Sequence, residues 1–318
     1  MCIEVDRNSF FSDRGYFLEK SVLDKQSVKE LRTFILNLYK KKYGPDVTAK
    51  QRFLSVNDVI PCQEIMGAYF SSKIVQCLKK LLEEHFIIIP DFAIQISCYD
   101  FIRNGGWHFD SRSEMPNAYL LHANYRFVHC VLCLQDNSAE YAGGIDVVPG
   151  SHRVPKVGHR KINFALHRMK ARLMKNKCEL RLPIRAGDFL CFDSRLYHRS
   201  SPPSLSFLQT VNKEELNAGY ISINRFDADS IKINLFFNAC RVPFGEFFIE
   251  NSVKRANKEM ERNQQTELFF SQYCGLAFPQ DFPSYFVDMI NKCELDVAYV
   301  KNEKLRQQYK NFVYKDNF

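Results

Sequence analysis

The chain has 318 residues, enough to bury a substantial core, and its 46% apolar content is ordinary for a globular protein. A net charge of +8 bears on partners and not on fold. With no zinc-finger or RNA-binding motif beside it, that charge argues little for a nucleic-acid partner. No run of about 18 apolar residues occurs, so no membrane-spanning helix is expected. The opening MCIEVDRNSFFSDRG lacks the basic and apolar regions of a secretory signal. Eleven irregularly spaced cysteines suit a reducing, cytoplasmic setting.

In chain order, residues 10–43 read as helix after a short entry strand, with Val28, Leu31, Phe34, Ile35 and Leu38 at helical spacing. Residues 72–85 form a second amphipathic helix, and from Phe86 the run IIIPDFAIQISCYDFI turns β-like. Gly105-Gly106 turns the chain into WHFDS, and further strands are expected at 127–135, 144–148, 180–184, 188–193, 197–200, 219–224 and 230–238. Cys130 and Cys133 form a CxxC with no second pair; strand alternation sends their sulfurs to opposite faces, so both are expected in the core. Residues 156–181 hold nine Lys or Arg and one acid, Glu179. Ile162, Ala165, Leu166, Met169 and Leu173 give this stretch a helical apolar stripe. It reads either as a lid that attracts an anionic substrate or as a solvated basic face whose stripe packs down. After Gly245 the texture is helices and aromatic-rich coil. Many short strands with Gly and Pro turns predict a mainly β sandwich or barrel with flanking helices.

The chemistry sits in two strings, WHFDS and FDSRLYHRSSPP, which supply His108, Asp110 and, 88 residues further on, His198. Two histidines and one carboxylate on one face of a metal leave three positions open, the facial triad of non-haem Fe(II) oxygenases. A closed zinc site needs four ligands and usually cysteine. Alternate side chains of an extended strand share a face, so His108 and Asp110 project together while Phe109 points away. HxD alone is a weak signal; its surroundings strengthen it.

Between the proposed ligands lies HCVLCLQDNSAEYAGGIDVVPGSHR, and before His198 comes LPIRAGDFLCFDSRLYH. With the N-terminal FFSDRGYFLEKSVLDKQSVKELRTFI, these stretches resemble the phytanoyl-CoA dioxygenase-like family of Fe(II)/2-oxoglutarate oxygenases over roughly residues 9–240. The resemblance implies a double-stranded β-helix, or jelly roll, in one oxygenase domain, 1–318. Residues 1–85 would form a helical flank, 86–240 the core with insertions at 156–181 and 202–229, and 241–318 a helical extension. It also implies iron, 2-oxoglutarate and molecular oxygen. Related halogenases lack the carboxylate ligand, so Asp110 points to hydroxylation, with desaturation or ring chemistry left open.

A 2-oxoglutarate enzyme needs a cation for the cosubstrate's far carboxylate, because a buried unpaired charge is costly. The family's usual arginine is missing: SSPPSLSFLQTV, after Arg199, holds no basic residue. Members with HR followed by PP resemble this chain in carrying a lysine in a KI-x-LFF strand, so Lys232 is the leading candidate. Asn234 shares its face, and Arg225 is the alternative. Gln95, Ser97 and Tyr99 alternate on a neighbouring strand and are candidates to line the pocket, with Tyr99 a possible 2-oxoglutarate partner. Trp107, Arg112 and Arg126 are weaker candidates, and His152 reads as structural within PGSH. The substrate is expected to be a small molecule, anionic or carrier-linked, with no membrane partner. The rival readings are a non-catalytic metal-binding jelly roll and, with less support, a nucleic-acid-modifying oxygenase.

Overall fold

The computed structural model describes residues 7–48, 53–97, 106–110, 120–121, 125–137, 144–155, 160–202, 220–222, 231–242, 244–248, 251 and 282–298. The chain begins with helix α1 (Arg7–Arg14), strand β1 (Tyr16–Glu19) and helix α2 (Lys25–Tyr43). A helix therefore precedes the entry strand, contrary to the sequence expectation. Gly15 makes this possible. It ends α1 at φ +81°, with its N–H on Phe11 O at 2.7 Å. A Cβ there would meet His152 Nδ1 at 2.4 Å, so a side chain is excluded by space as well as by φ.

Asp24 caps α2 by accepting from Ser27 N at 2.8 Å. The buried stripe of α2 is Val28, Leu31, Ile35, Leu36 and Tyr39; Phe34 and Leu38 are only half-buried. Buried Arg32 lies in that stripe and donates to Leu134 O at 2.6 Å and Ile231 O at 2.9 Å.

There follow β2 (Asp46–Thr48), β3 (Phe53–Leu54), and helices α3 (Val56–Val59), α4 (Gln63–Tyr69) and α5 (Ser72–Leu82). Then come β4 (Phe86–Ser97), β5 (Phe127–Cys133), β6 (Ile145–Val147) and helix α6 (Arg160–Cys178). The last elements are β7 (Leu180–Arg181), β8 (Phe189–Asp193), β9 (His198–Ser200), β10 (Tyr220–Ser222), β11 (Lys232–Arg241), α7 (Ser284–Lys292) and β12 (Asp296–Val297). Helices α3 and α4 and strands β2, β3 and β12 were not expected; all but α4 are four residues or shorter, too short to show a period.

Among the described residues the main sheet runs β1-β8-β5-β11-β4-β12 with β3 on β4, a second sheet runs β7-β6-β9, and β10 pairs with β2. The architecture is mainly β with flanking helices, a jelly-roll core whose sheets stay open. β12 joins β4 in parallel, adding a strand where the sequence suggested only helices and coil.

By contacts the chain forms two compact units, one of Met1–Leu54, Ile94–Asp110 and Val131–Leu235, the other of Ser55–Ala93, Ser111–Cys130 and Phe236–Phe318. In the first, β1 pairs antiparallel with β8, Tyr16 opposite Phe192. Its Gly187-Asp188 turn holds the segment after β1. Asp188, 1% exposed, accepts from Lys20 Nζ and Arg185 N at 2.8 Å and Ser21 N at 2.9 Å. In the second unit, Tyr69, Phe70, Phe92, Phe237 and Phe286 form an aromatic cluster. The Tyr69 hydroxyl donates to Ala93 O at 3.1 Å. Cys130 and Cys133 are buried and in no disulfide, as expected of core residues.

Candidate metal centre

The site lies in the first unit and starts from one backbone pairing. His198 opens β9, opposite Val147 of β6. On its other side His108 N donates to His198 O at 2.9 Å, and His198 N to His108 O at 3.1 Å. Residues exchanging both bonds are directly opposite, and their side chains leave the same face. The imidazole centroids are accordingly 4.4 Å apart. Asp110, in the turn two residues on, closes the group. Its Oδ1 is 3.3 Å from His108 Nε2 and its Oδ2 is 3.3 Å from His198 Nε2. One ligand atom from each residue lies within 4.8 Å of the others, and among the described residues no other group of three does so.

Both rings are oriented by their own backbone. His108 Nδ1 meets Gly106 O at 2.8 Å and His198 Nδ1 meets Leu196 O at 2.9 Å. A carbonyl can only accept, so Nδ1 carries the proton in each ring and Nε2 keeps its lone pair on the Asp110 side. Metal-ligating histidines are usually held this way. Two imidazole nitrogens and one carboxylate fit a facially bound Fe(II). The side chains grade from His198, 7% exposed, through Asp110, 24%, to His108, 48%, so the group opens to solvent on the His108 side.

The residues alternating with the ligands point the other way, onto α6. The Phe109 ring centroid is 4.7 Å from those of both His167 and Tyr197. Trp107 lies 5.3 Å from Tyr197, with Lys175 and Arg199 over its ring at 5.5 and 5.0 Å. His167 Nε2 donates to Ser151 O, and Ser151 Oγ accepts from Tyr197 N at 2.9 Å. Burial pushes the His167 imidazole down to about 4. Helix α6 thus backs the segments that carry the candidate ligands; these contacts do not put it over the His108–Asp110–His198 side as a lid. Nor do three members of its apolar stripe pack down; Leu166 is half-buried and the Ile162 side chain lies outside the described residues. The buried face is Asn163, His167 and Ala171, while Ala165, Met169 and Leu173 are exposed.

Strand β9 is tied in through Asp146, 1% exposed, which accepts from Arg181 Nε and Arg199 Nε at 3.0 Å and Ser201 Oγ at 2.7 Å. Arg199 also donates to Glu179 at 2.7 Å, so it is committed to structural partners. His152 is structural, as expected. It donates to Ser12 O at 3.1 Å, and burial lowers its pKa.

Of the cosubstrate candidates, Lys232 and Asn234 alternate on β11, at 4% and 2% exposure, so the lysine is not a surface residue. Gln135, which sequence reasoning passed over, joins them. Its Nε2 donates to Asn234 Oδ1 at 3.0 Å, and its Oε1 accepts from Ile233 N at 2.6 Å. Burial pushes the Cys133 thiol up to about 12, with the Lys232 charge pulling the other way. Gln95 is buried on β4. Phe192 of β8, in the same sheet, touches His198 with ring centroids 4.8 Å apart. Tyr99, Arg225 and Arg112, and the side chain of Ser97, lie outside the described residues. Arg126 donates to Tyr125 O at 3.1 Å.

The model of the phytanoyl-CoA dioxygenase (PhyH) family matches residues 11–204, more than half of the chain. The chain belongs to the phytanoyl-CoA dioxygenase family. It is an Fe(II)/2-oxoglutarate-dependent dioxygenase. Among solved structures, EctD from S. alaskensis with 2-oxoglutarate and 5-hydroxyectoine matches at TM-score 0.50 and 16% identity, over 76% of this chain and 77% of that one. EctD with bound Fe matches at TM-score 0.50 and 17% identity, over the same shares of 76% and 77%. The epimerase SnoN from nogalamycin biosynthesis matches at TM-score 0.48 and 13% identity, over 74% and 80%. At such identities the two EctD likenesses speak for the fold alone. No curated protein sequence matches the chain.

Proposed function

We propose that His108, Asp110 and His198 hold the catalytic iron, and that Lys232, with Asn234 and Gln135, receives the far carboxylate of 2-oxoglutarate. The reaction is the hydroxylation of a small-molecule or carrier-linked substrate. One observation carries this reading: the mutually hydrogen-bonded His108–His198 pair with both Nε2 atoms on Asp110. Bound iron and 2-oxoglutarate supply dioxygen activation and C–H oxidation.

The chain's own part is placement. Carbonyls of Gly106 and Leu196 fix the two imidazoles, which removes reorganisation on metal binding. Asp110 retains the carboxylate ligand, which suits hydroxylation. Lys232 meets the carboxylate as a point charge, and its burial makes that charge strong. EctD, of similar fold, is printed with 2-oxoglutarate and with Fe, which supports the cofactor pair. Gln95, Tyr99 and Arg225 are secondary candidates for cosubstrate contacts. The protein works as a single oxygenase domain in a reducing cytoplasm, which the absence of disulfides among its described cysteines supports.

The test is anaerobic titration with Fe(II), then 2-oxoglutarate, following the weak visible band of the chelated keto acid. Alanine at His108, Asp110 or His198 abolishes the band. Lys232→Ala leaves iron binding intact and removes a buried charge partner worth about 3–5 kcal/mol. That weakens 2-oxoglutarate by roughly two to three orders of magnitude, and Lys232→Arg restores part. A wild-type protein that binds iron but never shows the band is a metal-binding module, and the enzymatic reading fails. Normal 2-oxoglutarate affinity in Lys232→Ala moves the anchor elsewhere.

A further inference from the structure

We propose that the outward face of α6 docks an acidic amphipathic helix of a partner protein. The inner face of α6 is occupied by the contacts to Phe109, Tyr197 and Ser151. Its outer face carries Ala165, Met169 and Leu173 at one-turn intervals, with Met169 55% and Leu173 61% exposed. Arg168 and Arg172 run beside this stripe. The five residues line a concavity of about 390 Å³.

The charge pattern points to an acidic occupant. Seven Lys or Arg and no acid lie within Arg160–Cys178. Among the described residues, Arg168, Lys170, Arg172, Lys175 and Lys177 form no ion pair, whereas Arg153, Arg181, Arg195 and Arg199 of the same unit all do. The Arg168 Nε is buried with no hydrogen-bond partner. Like charges one turn apart disfavour a helix by a few tenths of a kcal/mol, and two large apolar side chains left in water gain nothing for the fold. Such a face is explained by what it meets.

The shape selects a protein over a bilayer. A helix lying in a membrane surface sinks a broad apolar face about 5–10 Å into the acyl boundary, whereas this face has two large apolar residues and a notch between its arginines. A notch takes one projecting side chain. Guanidinium groups one turn apart match carboxylates one turn apart on a facing helix, each able to pair bidentately. At 19 residues, α6 offers about 28 Å of such surface.

The experiment uses the full chain and a fluorescent synthetic helix of about 18 residues, with Glu one turn apart flanking a Leu stripe, and its Glu→Gln twin. Anisotropy should show salt-sensitive binding of the Glu peptide and at least about tenfold weaker binding of the twin. Arg168→Glu with Arg172→Glu should abolish binding. Met169→Ser with Leu173→Ser, which leaves the charge intact, should weaken it by about tenfold or more. Unchanged thermal melting in both double variants shows that the fold is kept. Binding that ignores the Met169/Leu173 change is generic charge attraction and overturns the proposal, as does no peptide binding. Binding instead to vesicles of phosphatidylcholine and phosphatidylserine assigns the face to a membrane. Self-association lost in Met169→Ser with Leu173→Ser assigns it to a second copy of the chain. Either result refutes the partner helix.

Discussion

Truncating Phe109 separates the backing of the metal centre from the centre itself. Phe109 sits between two proposed ligands but turns away from both, into rings 4.7 Å off on either side. A fully buried Phe→Ala change costs about 3–5 kcal/mol. Phe109 is half-buried, so about 2 kcal/mol is expected, of which its two ring contacts supply roughly half. At a few degrees per kcal/mol, melting should fall by about 5 °C. The more specific effect is on iron. With the ring gone, only Trp107 still packs residues 107–110 against α6, and His108 and Asp110 lose much of their fixed approach to His198. Loss of such outer support typically lowers metal affinity by about 10- to 100-fold. Scanning fluorimetry and anaerobic Fe(II) titration measure the two effects, with Phe109→Leu as the variant that keeps bulk and most of the affinity. Wild-type iron affinity in Phe109→Ala at a lowered melting temperature would make the stack ordinary packing and refute the positioning argument.

His167, held near pKa 4 in the fold against an ordinary 6.5, takes up its proton in the unfolded chain first as pH falls. Its contribution is therefore complete above about pH 6.5 and is lost as pH drops towards 4, up to about 3 kcal/mol. Denaturant melts across that window should show the slope, and His167→Gln, which can still donate to Ser151 O, should flatten it; an unchanged slope assigns the effect to other groups. Asp146→Asn strips the carboxylate from Arg181 and Arg199, themselves 37% and 24% exposed, so solvent screening limits the loss to about 2 kcal/mol. The deficit should appear as lowered melting; a variant as stable as wild type would mean that these pairs contribute nothing to holding β9.

The grouping of the three candidate ligands was legible because its logic is local at one end and repeats a known order of motifs at the other. Strand alternation alone placed His108 and Asp110 together and Phe109 apart. The contact with His198 needed a backbone pairing across 90 residues, which only the resemblance could suggest. What α6 does was less legible. Its apolar stripe of Ile162, Ala165, Leu166, Met169 and Leu173 is a sound helical pattern, yet the buried residues among those described are Asn163, His167 and Ala171. The polar members bury because they find partners: His167 meets Ser151 O and the Phe109 ring, contacts that no periodicity encodes. Gln135 was missed for the same reason. In LCLQDN it reads as the polar end of a strand, and its role appears only when β11 brings Asn234 and Ile233 N to it.

The PGSH turn joins these strands of reasoning. Gly150 N donates to Arg14 O at 2.9 Å, and Asp193 N to Gly15 O at 2.9 Å. His152 bonds Ser12 O, while Ser151 holds both His167 and the backbone of Tyr197. One turn therefore meets the end of α1, the middle of α6 and the residue before His198. Beneath it, Asp193 is fully buried. Burial pushes its carboxyl up, but the two-bond pairing with Arg195 outweighs this and holds it below its ordinary value. The charge persists there because every oxygen has a donor, which is what burial of a carboxylate requires. The position of His198 is then set by residues that touch no metal. The N-terminal flank belongs to the candidate metal centre mechanically, since removing α1 would free Gly150 and His152 before any proposed ligand was lost.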